Sequence, residues 1–402
     1  VVAGHLQQKK GYWYIVLTYT DENGKPASKW KSTGLKVKGN KRNAEKLLEQ
    51  YRHEFDPLRN EEGKVDIAFF ENSKVTDDME MQELCVRWLN YKKYVVEAST
   101  YAGYYNRVCK WMRPYFLIHN YTVREIGSGE IQEYIEYLLS EKLSIKSAMD
   151  QRDILNDMFK YAVILQVVPP WQNPVQYVPK LKVPTNVNAY YEADTAIALL
   201  DSVIGSRIEI PVFLALYYGL RRSEISGLMW EAVDFKNRQL TISHVVVAVQ
   251  MKGHKTIYDA KDRTKNLASH RTFPLLKPIE EMLLRQQSKQ KQQAMVAKKY
   301  YDSGYVFTKD NGMPYTPGYI SGEFKRHLER NGFPPIRFHD LRHSCASVLL
   351  ADTDRRVSLK DIQLWLGHAN IQSTMRYAHL GEQFSKLHTA SCIENALLRD
   401  HG

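Results

Sequence analysis

Two short words in the second half of the chain pair an arginine with a group that could orient it. In "YYGLRRSEISGLMW", Arg221 and Glu224 stand three apart near the start of a predicted helix, so the carboxylate shares a face with the guanidinium and can hold it. In "FHDLRHS", His339 and Arg342 repeat that spacing, with Asp340 or His339 near the cap. The N–H groups of a first helical turn have no partners inside the helix and add to the anion-binding character. Taken alone, an Arg–Glu pair of this kind is a surface ion pair worth little, so the case rests on its company.

That company lies on both sides. "LWLGHANIQSTMRYAHL" reads as a short helix ending at Gly367, then His368, with Tyr377 nine residues on in a basic segment that includes Arg376 and His379. The chain has 26 tyrosines, so residue type does not select Tyr377; the helix–Gly–His break before it does. "DAKDRTKNLASHRTFPL" places Lys265 in or beside a β-hairpin turn, with Lys261, Arg263 and Arg271 as alternative outward-reaching cations.

Two arginines, two histidines, a lysine and a tyrosine, with no carboxylate cluster to hold magnesium, suit phosphoryl transfer without a metal or other cofactor. Guanidinium forks bind the non-bridging oxygens and offset developing charge. Tyrosine is the covalent nucleophile, and lysine and His339 move protons. A zinc reading competes, since His339 and His343 are four apart as in H-E-x-x-H. There, however, Asp340 replaces the glutamate base and no third ligand is evident; a structural role for His343 is the better expectation.

Such residues must be carried by a scaffold, and 402 residues suffice for two or three domains. A formal charge of +11 produces a field that draws polyanions such as nucleic acid. Cys85, Cys109, Cys345 and Cys392 are widely spaced, without a C-x-x-C pair, which argues against a disulfide framework or zinc ribbon and for a reducing cytoplasm. Apolar runs such as 210–218 are too short to span a bilayer. The opening "VVAGHLQQKK" lacks a secretion core and lacks Met, so processing of the start is expected.

Along the chain, "GYWYIVLTYT", the turn "DENGKP" and "ASKWKSTGL" predict a hairpin, with a third strand unplaced. "NKRNAEKLLEQYRHEF" predicts an amphipathic helix capped at Asn40 or Asn43. Lys29, Lys31, Lys36, Lys38, Lys41 and Arg42 cluster around this strand-to-helix connection: either a sheet face for a DNA groove or a solvated basic loop. Residues 76–178 carry four or five helical patterns. "PPWQNPVQYVPKLKVPT", with Lys180 and Lys182, predicts an interdomain linker. From 186 onward helices enclose the strand-like "QLTISHVVVAVQ", "KTIYDA" and "RTFPL", with helices returning from Lys277 to the end. The expected fold class is therefore multidomain: a small α+β domain at 1–70, an all-α domain at 76–178 and an α+β, mainly helical domain at 186–402.

The order of "GLRRSE", "TKNLASHRTFPL", "HDLRH", "LGH" and "STMRYAHL" resembles the tyrosine recombinases, or phage-integrase family. Residues 76–178 look like that family's helical, SAM-like core-binding domain. Residues 1–70 resemble the arm-type DNA-binding domain of integrases from conjugative transposons of Gram-positive bacteria. The resemblance implies a site-specific recombinase in the bacterial cytoplasm, on the nucleoid, that integrates and excises a mobile element. In it Tyr377 forms a 3′-phosphotyrosyl link, Arg221 and Arg342 clamp the phosphate, His368 hydrogen-bonds it, Lys265 is the general acid and His339 the acid/base partner. It also implies a homotetramer on two duplexes that resolves a Holliday junction without metal or ATP, binding core and arm sites, with an excisionase and a host DNA-bending protein as accessory partners. The apolar spacing of Phe384, Leu387, Ala390, Ile393 and Leu397 predicts a terminal helix docking on its own core or on a neighbouring protomer. Two rivals remain: a type IB topoisomerase, against which the amino-terminal sheet domain speaks, and a DNA-binding regulator, which would have no use for Tyr377.

Overall fold

A computed structural model of the chain describes residues 3–20, 26–54, 74–184, 189–262, 270–351 and 357–375. The chain divides into two compact units, residues 1–185 with 249–256, and residues 186–248 with 257–402.

The first unit opens with an antiparallel sheet in the order β1 (Ala3–Lys9), β2 (Tyr12–Thr20), β3 (Pro26–Lys36). The strand left unplaced by the sequence is β1. It is joined to β2 by Lys10 and Gly11, both at positive φ (53° and 79°), the two-residue turn whose twist matches that of the strands. Helix α1 (Lys41–Glu54) lies against the sheet. Ile15 and Leu17 are buried, and across the ladder from them stand Lys31 and Lys29. These two lysines therefore share the helix-covered face, and Lys31 Nζ sits 3.7 Å from the centre of the Tyr51 ring on α1. The other face carries Tyr12, Tyr14 and Trp30, with Lys36 opposite Tyr12. The basic cluster read as one surface is thus split between two faces by the period-two pleat.

The helical part of this unit comprises α2 (Met81–Val95), α3 (Ala98–Arg107), α4 (Arg113–His119), α5 (Ser128–Ser140) and α6 (Ile145–Ile164), around a core that includes Trp88, Phe116, Tyr134 and Leu155. The run expected as one helix over 99–116 contains a π-helical turn, Val108–Met112, between α3 and α4. Pro114 accounts for it: the ring has no N–H to donate and crowds the preceding turn. The proline-rich stretch expected as a linker is partly core. Pro174–Tyr177 form a 3-10 turn, Val175 and Val178 are buried, and the buried Arg152 donates to the carbonyls of Val175 (2.8 Å) and Val178 (2.7 Å). Residues 249–256 also belong to this unit, where Asn106 donates to the Gln250 carbonyl and accepts from Lys252 N–H, both at 2.7 Å.

The second unit begins with α7 (Ala193–Val203), α8 (Glu209–Tyr218) and α9 (Arg222–Ser226). The strand run expected over 239–250 divides at Ser243. Strand β5 (Gln239–Ile242) pairs with β4 (Val233–Asp234) and with β8 (Arg271–Pro274) in an antiparallel sheet, whereas β6 (His244–Val249) pairs with β7 (Ile257–Asp262) in a separate two-stranded one. The single small sheet read from the sequence is two sheets, because the β6–β7 hairpin loops out between partners that close without it. Then come α10 (Lys277–Val296), α11 (Pro317–Asn331), α12 (Leu341–Ala351), α13 (Leu359–Leu366) and α14 (Gln372–Met375). Helix does not continue unbroken from Lys277: residues 297–316 contain only isolated bridges, Thr308 with Pro314 and Tyr305 with Met229. Gly304 and Gly312 in this segment have positive φ. Tyr218, Leu240, Phe273, Phe324 and Leu341 belong to one core that locks α8, α11 and α12 to the β4–β5–β8 sheet.

Among the described residues no helix is long and apolar enough to cross a membrane, and Cys85, Cys109 and Cys345 are buried thiols that form no disulfide.

Candidate active site

The site assembles where three helix ends meet. Helix α8 stops at Gly219, which adopts a left-handed conformation (φ 61°). A β-carbon there would stand 2.3 Å from Leu366 Cδ2, so both the backbone and the packing demand glycine. The turn sends the chain into Arg221, which precedes α9 in extended conformation. Helix α13 stops at Gly367, also left-handed (φ 64°), and releases His368. Between them lies the start of α12.

Arg342, one residue into α12, is 2 % exposed. Its guanidinium donates to the carbonyls of Gly219 and Leu366, while Arg221 Nη2 makes a long 3.5 Å contact with the carbonyl of Gly367. The last carbonyls of a helix lack partners within it and carry its negative end. The carboxyl end of α13 therefore gathers both guanidiniums immediately before His368.

Glu224 completes the frame, and it is no surface ion pair: the residue is 0 % exposed. Its carboxylate accepts from Arg221 N (2.8 Å) and Nη1 (2.9 Å), and on the other side from Arg271 Nη2 (2.9 Å) and Nη1 (3.3 Å). Burial pushes the carboxyl up, but Arg271 and then Arg221 more than offset this and hold it down to about 2. The sequence reading weighed Arg271 only as an alternative to Lys265; here it is committed to Glu224. The signal was available: on β8, Arg271 and the buried Phe273 are two apart and so share a face, where a charge needs a counter-charge.

His339 lies in the 3-10 turn Phe338–Asp340 that leads into α12. The residue is exposed to solvent. Desolvation of the ring lowers its pKa, and the Arg342 and Arg221 charges lower it further. Asp340 is buried and spent on structure, accepting from Arg337 N (2.8 Å), Nε (3.0 Å) and Nη2 (2.7 Å). His343 has its ring edge-on to His339, centroids 5.8 Å apart, and burial and the neighbouring imidazole press its pKa down to about 4. Burial, then Arg342 and Arg221, bring His368 down to about 3. All three imidazoles are consequently neutral at pH 7. A cleft of 620 Å³ opens beside this group, lined among others by Arg221, Arg222, His339, Arg337, Lys325 and Ser321. Its lining combines four cations, Arg221, Arg222, Lys325 and Arg337, which attract an anion, with apolar side chains that include Val246, Phe324, Ile336 and Phe338.

Residues 191–383 match the family model described as "Phage integrase family". These residues belong to the phage integrase family. The chain is 25% identical over 400 residues, covering 94% of itself and 95% of its relative, to a tyrosine recombinase XerC-like protein of Caldanaerobacter subterraneus subsp. tengcongensis. Among solved structures it is similar to the Tn1549 transposon integrase in complex with transposon right end DNA, with TM-score 0.61, 21% identity, and coverage of 74% of this chain and 94% of that one. It is also similar to a lambda integrase tetramer bound to a Holliday junction, with TM-score 0.52, 18% identity, and coverage of 91% and 95%. The fold is that of the integrases, with a mostly helical second unit. In this phage-integrase-family domain the structure brings Arg221, Glu224, Arg342 and His368 together and places His339 beside them. Lys265 and Tyr377, and with them Arg263, Arg376, His379, Cys392 and the tail from 383, lie outside the described residues. Of the basic residues read as DNA contacts, Lys29, Lys31, Lys36, Lys38 and Lys182 are exposed, and Lys180 pairs with Asp153 at 3.4 Å.

Proposed function

We propose that the protein is a site-specific DNA recombinase that integrates and excises a mobile element. One observation carries the reading: two guanidiniums and a neutral imidazole are gathered at the carboxyl end of α13, next to a cleft whose lining includes four cations. Arg221 and Arg342 take the two non-bridging oxygens of a DNA phosphodiester, and His368 donates a hydrogen bond to one of them. The Tyr377 phenol attacks phosphorus, forming a 3′-phosphotyrosyl ester as the bond to the 5′ oxygen breaks. That oxygen takes its proton from Lys265, and the phenol gives its proton to His339, neutral and therefore able to accept it. The ester is exchanged and never hydrolysed, so rejoining to a second 5′-hydroxyl needs no ATP, and the charge is handled by the side chains without metal.

Residues 76–178 would close on the core site and residues 1–70 read arm sites, with Lys29, Lys31, Lys36, Lys38, Lys180 and Lys182 among the phosphate contacts. A tetramer acting through a Holliday junction is supported by the lambda integrase likeness, and the element by the Tn1549 transposon integrase likeness. Incubation with nicked suicide duplexes carrying the element's ends should trap a covalent adduct that Tyr377→Phe abolishes. Adduct persisting in Tyr377→Phe, or equal cleavage of plasmid without such ends, would overturn the reading.

A further inference from the structure

Resting on that reading, we propose that Thr374 is a positioning residue that fixes the tautomer of His368. Thr374 is 0 % exposed, and its Oγ1 lies 2.9 Å from His368 Nδ1. The backbone of His368 is held independently: its N–H donates to the Gln363 carbonyl and its carbonyl accepts from Gln363 Nε2, both at 3.0 Å. The threonine is held through its own N–H, which donates to the Ile371 carbonyl at 2.7 Å. Ring and hydroxyl therefore meet on two anchored backbones.

The direction of this bond follows from counting protons. A hydroxyl has one proton to donate, and a buried hydroxyl without an acceptor is costly. Among the described residues, His368 Nδ1 is the one acceptor within hydrogen-bond distance of Thr374 Oγ1. The hydroxyl donates, Nδ1 accepts, and the proton of the neutral imidazole must reside on Nε2. That placement decides the sign of the interaction with a phosphate: Nε2–H attracts an anionic oxygen, whereas a lone pair there would repel it. Thr374 also precedes Tyr377 by three residues, so the same bond ties the ring to the segment that carries the nucleophile.

The test uses the full chain with ¹⁵N-labelled histidine and His368→Gln to assign the signal. Long-range ¹H–¹⁵N spectra near pH 7.5 should show His368 protonated at Nε2 in the wild type and in Thr374→Ser, and shifted toward the Nδ1–H form in Thr374→Val. Single-turnover cleavage of a suicide duplex should fall about 10-fold to 100-fold in Thr374→Val, with DNA affinity unchanged, and recover in Thr374→Ser. An Nδ1–H tautomer in the wild type, or an unshifted Nε2–H signal in Thr374→Val, overturns the proposal. Should Thr374→Val not fold, the wild-type spectrum decides alone. Because the spectra need no DNA, a failure of the recombinase reading would appear separately, as a wild type that makes no adduct.

Discussion

Replacing Glu224 by Gln removes a single buried charge shared by two arginines, and the consequence can be worked from the structure. The isostere keeps one acceptor oxygen but points an amide at a guanidinium, so Arg271, with 9 % of its side chain exposed, faces a donor with a donor. Breaking a buried ion pair from one side costs roughly 3–5 kcal/mol. The pKa leads to a similar magnitude: a carboxyl lowered from 4.5 to about 2 corresponds to about 3 kcal/mol of stability. The sign follows from the depressed value. The contribution is complete above the unfolded pKa of 4.5 and is lost as pH falls toward 2.

With two units in the chain, a local probe is needed, and hydrogen exchange of the paired β5–β8 amides supplies it. At pH 7 the opening free energy should fall by about 3 kcal/mol in Glu224→Gln. Between pH 4.5 and 2 the wild type should lose protection while the variant, lacking the titrating group, shows less change. A variant within roughly 0.5 kcal/mol of wild type at pH 7 would refute the claim that this carboxylate is a buried, doubly paired anchor.

Arg342→Lys keeps the charge but cannot fork onto the Gly219 and Leu366 carbonyls, and should slow single-turnover cleavage by about 100-fold or more at saturating DNA; near-normal rates would show that the fork is not needed. Gly219→Ala imposes a left-handed alanine whose Cβ meets Leu366 Cδ2, and should destabilise the second unit by more than about 1 kcal/mol in the same exchange assay. His343 and His368, with folded values of about 4 and 3 against 6.5, contribute stability that is full above pH 6.5 and is lost as pH falls through those values; a melting temperature unchanged from pH 7 to 4 would contradict this.

The residues that meet at the candidate site were legible in the words "GLRRSE", "HDLRH" and "LGH", since the spacing of arginine, carboxylate and histidine survives any arrangement of the surrounding chain. The helical periods of 76–178 were equally legible, because burying one face of a helix leaves a local trace in the order of residues. What the sequence could not determine is which distant groups share a charge or a proton. Arg271 is committed to Glu224 because β8 pairs with β5 across the 28 intervening residues 243–270, which carry a separate hairpin. Strand alternation alone separates Lys29 and Lys31 from Lys36, but only packing decided that theirs is the face covered by α1, where Lys31 meets Tyr51. Local order records which face of an element prefers water. Long-range electrostatic partners are selected only when packing removes that water, and then a buried charge must find its counterpart wherever the fold has placed it.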